Sequence, residues 1–455
     1  MNTQTTRQPS DSIPVAPGAL PVLGHALPLL RDPLRFLTRL PAHGDLVRIG
    51  LGPVPVVVVC DADLTDHVLR HDRIFDKGGP FFERAREVLG NGMGTCPYSV
   101  HRRQRRLLQP SFARERMPGY AEVMTQQISA LTDTWRDGQI LDVYSELLRH
   151  TSTVTTTTLF SDMVDDTTGR HAGDDVNTLT GGIFRRMLMP PPLDRLPTPG
   201  NRAFGHARAR LHATLDGIIA DRRRDITDRG DLLSALLAAR DTDGRGLSDS
   251  DIADQIITFF GAGTETTASA LAWALYLLDR HPRIADRLHH EVDTVLAGRP
   301  ARHADMPHLT LTGRIITEVM RLYPPAWLLT RVVSEDTELG GRHLRAGTNL
   351  AYSAYALHRR GDLYRDPDCF DPDRWDPGRA QPARTALIPF GGGARKCIGD
   401  VFAVTEATLS LATISARWHL RTFSGGNVRP ARAAVLHPRG LHMRATARTQ
   451  RPRSQ

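Results

Sequence analysis

Three successive glycines, Gly391-Gly392-Gly393, stand four residues ahead of Cys397, and an apolar, Ala/Thr-rich run, Val401–Ala416, follows it. Glycine has no Cβ to hold a neighbour away, so this stretch of backbone can lie flat and close against another group. The run after it reads as a helix, which places Cys397 just ahead of a helix N-terminus. The helix dipole and the adjacent Arg395 and Lys396 favour a thiolate there, and a thiolate is a soft, electron-rich ligand for iron. A buried, inert cysteine beside a Gly-rich turn is the bland alternative. Either way, the fold must bring an irregular loop and a helix start together around one sulfur.

The chain has 455 residues. That length allows three ordinary domains or one large domain with a continuous core, and it can enclose a sizeable cofactor. Hydrophobic residues at 40% and charged residues at 24% argue against a disordered protein. Lys and Arg number 58 against 50 Asp and Glu, for a net charge of +8. Such a surplus raises nucleic-acid binding as a reading. The densest basic runs, Arg102-Arg103-Gln104-Arg105-Arg106 and Arg222-Arg223-Arg224, carry no interleaved aromatics for stacking on bases. An acidic protein partner accounts for the charge equally well. The four cysteines, Cys60, Cys96, Cys369 and Cys397, exclude a disulfide scaffold and form no C-x-x-C pair. They suit a reducing, cytoplasmic setting. The polar, Pro-rich N-terminus lacks the apolar core of a secretory signal, and no run of about 18 apolar residues reads as a membrane span.

Residues 1–18 read as a loose arm, 19–445 as a single domain and 446–455 as a tail. Leu46–Gly50 and Val54–Cys60, around Leu51-Gly52-Pro53, predict a β-hairpin. From Leu64 onward the pattern is mainly helical. Thr151–Leu159 is rich in β-branched residues that locally favour strand, yet its helix-like flanks predict that tertiary context makes it helical. Gly78–Tyr98 and the proline-rich Met189–Pro199 read as loops, and Arg359–Arg384 as an irregular segment held by side-chain contacts.

Phe259 to Thr267 lies inside a helix predicted over about 249–280, capped by Ser248 with Asp251 and ended by Pro282. About 31 residues at 1.5 Å each give ~46 Å, enough to cross the whole domain. Gly261 and Gly263 cost about 1 kcal/mol each in mid-helix, so something packs closely there. The Thr266 hydroxyl can bond back to the Ala262 carbonyl, bending the helix and opening a groove for a small ligand. Glu318 and Arg321, at i and i+3, share a helix face and precede Leu322-Tyr323-Pro324-Pro325. Arg374 sits in Phe370-Asp371-Pro372-Asp373-Arg374-Trp375. His101 and Arg105, at i and i+4, share another face.

Phe390 to Gly399 matches F-x-x-G-x-R-x-C-x-G, and this segment resembles the haem-binding loop of the cytochromes P450. The resemblance implies a mainly α fold with small β-sheets, with haem b held between the long distal helix and the cysteine-loop helix. By the same resemblance Cys397 is the axial ligand of the haem iron, Phe390 packs near the sulfur, and Arg395 pairs with a haem propionate. Phe259 to Thr267 resembles the family's distal helix, [AG]-G-x-[DE]-T. That makes Glu265 and Thr266 an acid–alcohol pair relaying protons to the oxygen being activated. Glu318 to Arg321 resembles the E-x-x-R helix, with Arg374 as third member of a structural triad that fixes the segment before the cysteine loop. His101, standing where many members have Trp, and Arg105 fall on the face that meets the propionates; Arg331 is a further propionate partner. The matches run in family order from about residue 20 to 445.

The implied activity is that of a haem-thiolate monooxygenase using O2 and two electrons. No strand-associated G-x-G-x-x-G is present, so the electrons are expected from a separate ferredoxin or flavodoxin and its NAD(P)H reductase. Arg102, Arg103 and Arg106 are the expected docking surface. Family geometry places Phe81, Phe82, Phe184 to Leu188, Phe259, Ala262, Trp327 and Leu328 over the substrate. So apolar a set suits a hydrocarbon-like molecule. The runs HRRQRRLLQPSF and PPAWLLTRVV resemble bacterial terpene-oxidising members, implying a terpenoid secondary metabolite; steroid, polyketide and fatty-acid substrates stay open. One alternative is a peroxide-using or non-oxygenase haem-thiolate enzyme, against which the Glu265–Thr266 pair argues. Another is a haem-dependent sensor or nucleic-acid binder, for which no DNA-reading motif is present. Neither nucleic acid nor a membrane anchor is expected.

Overall fold

Strands β1 (Leu46–Leu51) and β2 (Val54–Val59) form the expected hairpin, with Leu46 opposite Val59 and Leu51 opposite Val54. The computed structural model describes residues 13–448 except 162–167, 169–170, 177, 180–195, 226, 424–427 and 432, and the backbone alone at 80 and 81. Most of the predicted proline-rich loop therefore lies outside the described residues. β3 (Phe75–Asp76), β5 (Leu329–Val333) and β8 (Asn349–Tyr352) complete a five-stranded sheet in the order β1-β2-β8-β5-β3. β4 (Ile140–Asp142), β9 (Trp418–Thr422) and β12 (His442–Ala447) make a second sheet, ordered β4-β12-β9. β6 (Thr337–Leu339) pairs with β7 (Arg342–Leu344), and β10 (Arg429–Pro430) with β11 (Pro438–Arg439).

The helices are α1 (Ala26–Arg31), α2 (Pro33–Arg39), α3 (Ala62–Arg70), α4 (Gly79–Leu89), α5 (Tyr98–Leu108), α6 (Met117–Thr134) and α7 (Val143–Phe160). They continue as α8 (Pro199–Arg224), α9 (Leu232–Ala238), α10 (Asp249–Arg280), α11 (Pro282–Leu296), α12 (Thr310–Leu322), α13 (Ala354–Leu357) and α14 (Asp400–Arg417). The fold is mainly α with small sheets. α10 runs the full predicted length behind a reciprocal Ser248–Asp251 capping box. Its Trp273 is buried in the largest apolar cluster, stacked on Tyr323 at 3.7 Å.

The threonine-rich stretch 151–159 is helical within α7. The Thr151 hydroxyl donates to Leu147 O (3.1 Å) and, across the helix interface, to Thr264 O (2.9 Å). Packing against α10 thus outweighs local strand preference. Expected loop 78–98 differs: its first half is α4, because Phe82, Ala85 and Val88 form a buried stripe at helical spacing. The arm and tail are also shorter than expected. Ala16 N donates to Arg48 O (2.9 Å), and Ala16 is buried. Ala447 pairs with Trp418, and Arg448 meets Asp293 at 2.7 Å. At the N-terminal end the open edge of β1 offers backbone groups that the arm satisfies, and at the C-terminal end β12 is the central strand between β4 and β9.

Segment 359–384 is irregular, as its composition implies, and side chains hold it. On α12, Glu318 and Arg321 are fully buried and pair bidentately at 2.8 and 2.7 Å. Arg321 also donates to His358 O, Pro367 O and Cys369 O. Glu318 accepts from Asp371 N (3.1 Å) and from Trp375 Nε1 (2.9 Å). Arg374 forms the expected ion pair with Glu318, at 3.6 Å and without a hydrogen bond, and Trp375 Nε1 adds a donor that sequence reading did not name. Glu318→Ala leaves the Arg321 cation buried without its carboxylate. It should cost about 3–5 kcal/mol, read as a lower urea midpoint, against about 1.5–3 kcal/mol for Trp375→Phe, which removes one bond to a charge.

Candidate active site

Between the Gly-rich part of α10 and the loop ahead of α14 lies a cavity of about 430 Å³. Phe390, Gly391, Gly392, Arg395 and Cys397 line it from the loop, and Phe259, Ala262, Glu265 and Thr266 from α10. Phe82, Leu328 and Arg331 complete the wall among the residues expected from sequence. Trp327 does not: it is buried in a core cluster, its Nε1 donating to Ala433 O at 3.0 Å. Phe184 and the side chain of Phe81 lie outside the described residues.

The cysteine loop owes its shape to two contacts. Cys397 N donates to Phe390 O (2.9 Å), closing the loop on itself. Gly393 has φ +61°, and a Cβ there would fall 2.2 Å from Leu69 O on α3, so only glycine lets the loop dock. Gly391, at φ +69°, has nothing within 4 Å of its Cβ position. The sulfur of Cys397 is open to the cavity. The cations expected to favour its thiolate are engaged elsewhere. Arg395 reaches Asp72 (3.1 Å), Asp76 (2.7 Å) and Cys96 O (2.7 Å), and Lys396 pairs with Asp400 at 2.6 Å. Burial pushes the Cys397 thiol up; the Gly399 N–H, Arg105 and Lys77 pull it back.

On the opposite wall the expected hydroxyl back-bond is present within an unbroken helix. Thr266 Oγ1 donates to Ala262 O at 2.6 Å, and Thr264 Oγ1 to Phe260 O at 2.7 Å. Gly263 lets Thr155 of α7 approach: a Cβ there would stand 3.1 Å from the Thr155 hydroxyl. Glu265 is close enough to raise the Tyr144 hydroxyl, on which burial acts first.

One edge of the cavity is cationic. Arg331 is buried, packs over Phe82 and Tyr352, and has no carboxylate partner among the described residues. Lys77, which sequence reading missed, donates to Gly94 O (2.6 Å) and Met93 O (3.3 Å). Burial, then Arg331 and Arg395, bring its ammonium down to about 7. His101 on α5 is buried with Nδ1 unpartnered, and burial followed by Arg395 and Lys77 lowers it to about 3, leaving a neutral ring. Arg105, four residues on, donates to Lys396 O (2.6 Å) and Gln109. Neither His101 nor Arg105 lines the cavity itself. Arg103, expected on a docking surface, instead bonds Asp241 (2.8 Å) and Gly246 O (2.9 Å).

Residues 14–443 match the family model for cytochrome P450. Pentalenene oxygenase from Streptomyces avermitilis is 48% identical over 436 residues, covering 95% of this chain and 97% of the relative. Cyclooctatin synthase from Streptomyces melanosporofaciens is 48% identical, covering 91% and 92%, and cyclooctat-9-en-7-ol 5-monooxygenase from the same organism 44%, covering 90% of each. The chain belongs to the cytochrome P450 family, whose members carry haem and work as monooxygenases. The residues present fit that cofactor: an open sulfur, a buried cation lacking a carboxylate, and an orphaned imidazole nitrogen suit an iron centre with acidic side chains. Among the described residues no helix is long and apolar enough to cross a membrane.

Sequence reading also missed Glu406, on α14. It is fully buried, neither carboxylate oxygen has a hydrogen bond of good geometry, and the Thr267 hydroxyl lies beside it. Burial holds its carboxyl up at about 8. Between its ordinary value near 4.5 and 8, folded Glu406 keeps a proton that the unfolded chain releases, so its contribution to stability falls as pH rises. Glu406→Gln removes this dependence. Its urea midpoint should match or only slightly differ from wild type at pH near 5 and exceed it increasingly toward pH 8; a gap that stays constant would overturn the assignment.

Proposed function

We propose that this chain is a haem b monooxygenase that uses O2 and two electrons from a separate ferredoxin or flavodoxin, recharged by an NAD(P)H reductase, to oxidise a cyclic terpenoid. One observation carries the reading: the Cys397 sulfur and the Glu265–Thr266 pair open onto one cavity from opposite walls. Haem bound there supplies the oxygen-activating chemistry. Cys397 would hold its iron through the thiolate, with Phe390 beside the sulfur. Arg331, with Lys77 and His101 nearby, supplies donors for its propionates. Arg395 acts mainly through Asp72 and Asp76, tying the cysteine loop to the segment around β3.

The Thr266 hydroxyl donates to Ala262 O and leaves its oxygen lone pairs at the groove. Glu265, next to it, is the group that takes a proton up and passes it on. Phe82, Phe259, Ala262 and Leu328 give the substrate apolar contact and few polar anchors. Relatives named for pentalenene and cyclooctat-9-en-7-ol support a terpenoid of that kind. Glu318, Arg321 and Arg374 are scaffold for the cysteine loop and not catalysts. With Arg103 engaged by Asp241, an acidic electron donor would meet the exposed Arg102 and Arg106.

The test is the absorption spectrum of the reduced, carbon monoxide-bound protein. A Soret band displaced strongly to long wavelength is expected in wild type and absent in Cys397→Ser. Thr266→Val should keep the band, while product formed per O2 consumed drops about 100-fold. A Cys397→Ser protein that retains the band would overturn the ligand assignment.

A further inference from the structure

Two histidines stand one helical turn apart at the C-terminal end of α3, the helix on which the cysteine loop docks. His67 and His71, at i and i+4, are both exposed, and their rings face each other with centroids 4.0 Å apart and planes 28° from parallel. Each ring is held from its own side. His67 makes a T-shaped contact with the buried Phe75, at 6.0 Å between centroids. His71 Nδ1 lies 2.8 Å from His67 O. A carbonyl oxygen only accepts, so that nitrogen carries the proton and Nε2 keeps its lone pair. Imidazoles that bind metals are oriented in this way, by a bond from the second ring nitrogen to a carbonyl or carboxylate. Two histidines at i and i+4 on one face are also the arrangement that zinc-binding helices use.

The local charge admits a cation. In a chain that is +8 overall, residues 61–73 hold Asp61, Asp63, Asp66 and Asp72 against Arg70 and Arg73. Arg70 is neutralised by Asp66 at 2.5 Å, and Asp63, one turn before His67, is exposed. Imidazole suits zinc, nickel and copper among the divalent ions. Among the described residues no group of three or more His, Cys, Asp or Glu is placed to hold a metal, so water completes the coordination of an ion bound here. Such an ion would act on a particular piece of structure. His71 O accepts from Ile74 N and Phe75 N, each at 2.9 Å, and so turns the chain from α3 into β3. On either side of His71 stand Leu69, whose carbonyl leaves room only for glycine at 393, and Asp72, which takes Arg395 at 3.1 Å. Gly393 and Arg395 both belong to the cysteine loop. An ion tying residue 67 to residue 71 fixes the turn on which that loop docks.

We propose that His67 and His71 form a two-imidazole site for a divalent cation of the zinc kind, and that the bound ion braces the end of α3 beneath the cysteine loop. The site is independent of substrate and of oxygen chemistry; the bracing alone rests on the reading that this loop holds haem. The test is a calorimetric titration of zinc chloride into holoprotein freed of metal with a chelator. Wild type should show a saturable site. His67→Gln and His71→Gln each remove one ligand at an exposed position, and each should weaken that site at least about tenfold while the haem spectrum stays as in wild type. On heating, saturating zinc should raise the temperature at which the Soret band is lost in wild type and leave it unmoved in both variants. Wild type without a saturable site overturns the proposal, as do variants that bind zinc like wild type, because other histidines then account for the binding. A site lost in both variants, with haem loss in wild type indifferent to zinc, overturns the bracing. A protein that takes up no haem fails the proposed function instead, and the zinc titration still decides the site.

Discussion

Glu318 and Arg321 form an ion pair with no surface left to water, and the cysteine end of the cavity depends on it. Burying two charges is costly, and their mutual attraction offsets that cost only when the remaining donors and acceptors are satisfied. Here they are satisfied by backbone: His358, Pro367 and Cys369 carbonyls take the guanidinium, and the Asp371 amide and Trp375 indole reach the carboxylate. A segment without ladders thus acquires a fixed course. His358, itself bonded to Arg321 O, passes the constraint on by accepting from Ile388 N, two residues before Phe390. The path from a buried carboxylate to the sulfur of Cys397 is therefore a short run of hydrogen bonds, and the loop needs no regular structure of its own.

The distal wall is built on a different constraint. α10 must be long to span the molecule and locally imperfect to leave a groove. Its capping box and apolar stripe supply the length. Gly261 and Gly263, without side chains, and Thr264 and Thr266, with hydroxyls turned back onto the helix, leave the room. α7 stabilises the weak point from behind, because Thr151 donates to Thr264 O and Thr155 fits against Gly263. The run of threonines that looks wrong for a helix is thus what lets α7 bond laterally to α10, and local propensity yields to a tertiary hydrogen bond.

Much of this was legible in sequence because it is local. The capping box, the Thr266–Ala262 bond, the Glu318–Arg321 spacing and the hairpin each need only residues a few positions apart. What was hidden depends on partners far along the chain. Nothing near Arg395 announces that Asp72 and Asp76, more than 300 residues earlier, take its guanidinium. Lys77 looks like one more surface lysine until burial beside Arg331 is seen, and Glu406 like an exposed helix residue until α10 covers it. Trp327 was misplaced for a related reason: an indole can serve a cavity or a core, and only its neighbours decide. The stripe Phe82, Ala85, Val88 was readable, but the surrounding glycines masked it.

The electrostatic layout follows from these placements. Arg331 and Lys77 put positive charge at one edge of the cavity, where the low dielectric strengthens each interaction. Asp72 and Asp76 are taken up by Arg395, while Glu265 stands on α10 at the wall and Glu406 behind it on α14, held neutral by burial. A flat cofactor with acidic groups on one side would find cationic donors for them at Arg331 and Lys77, and a thiol to hold its metal at Cys397. Packing imposes this layout by deciding which ionisable groups find a partner and which do not.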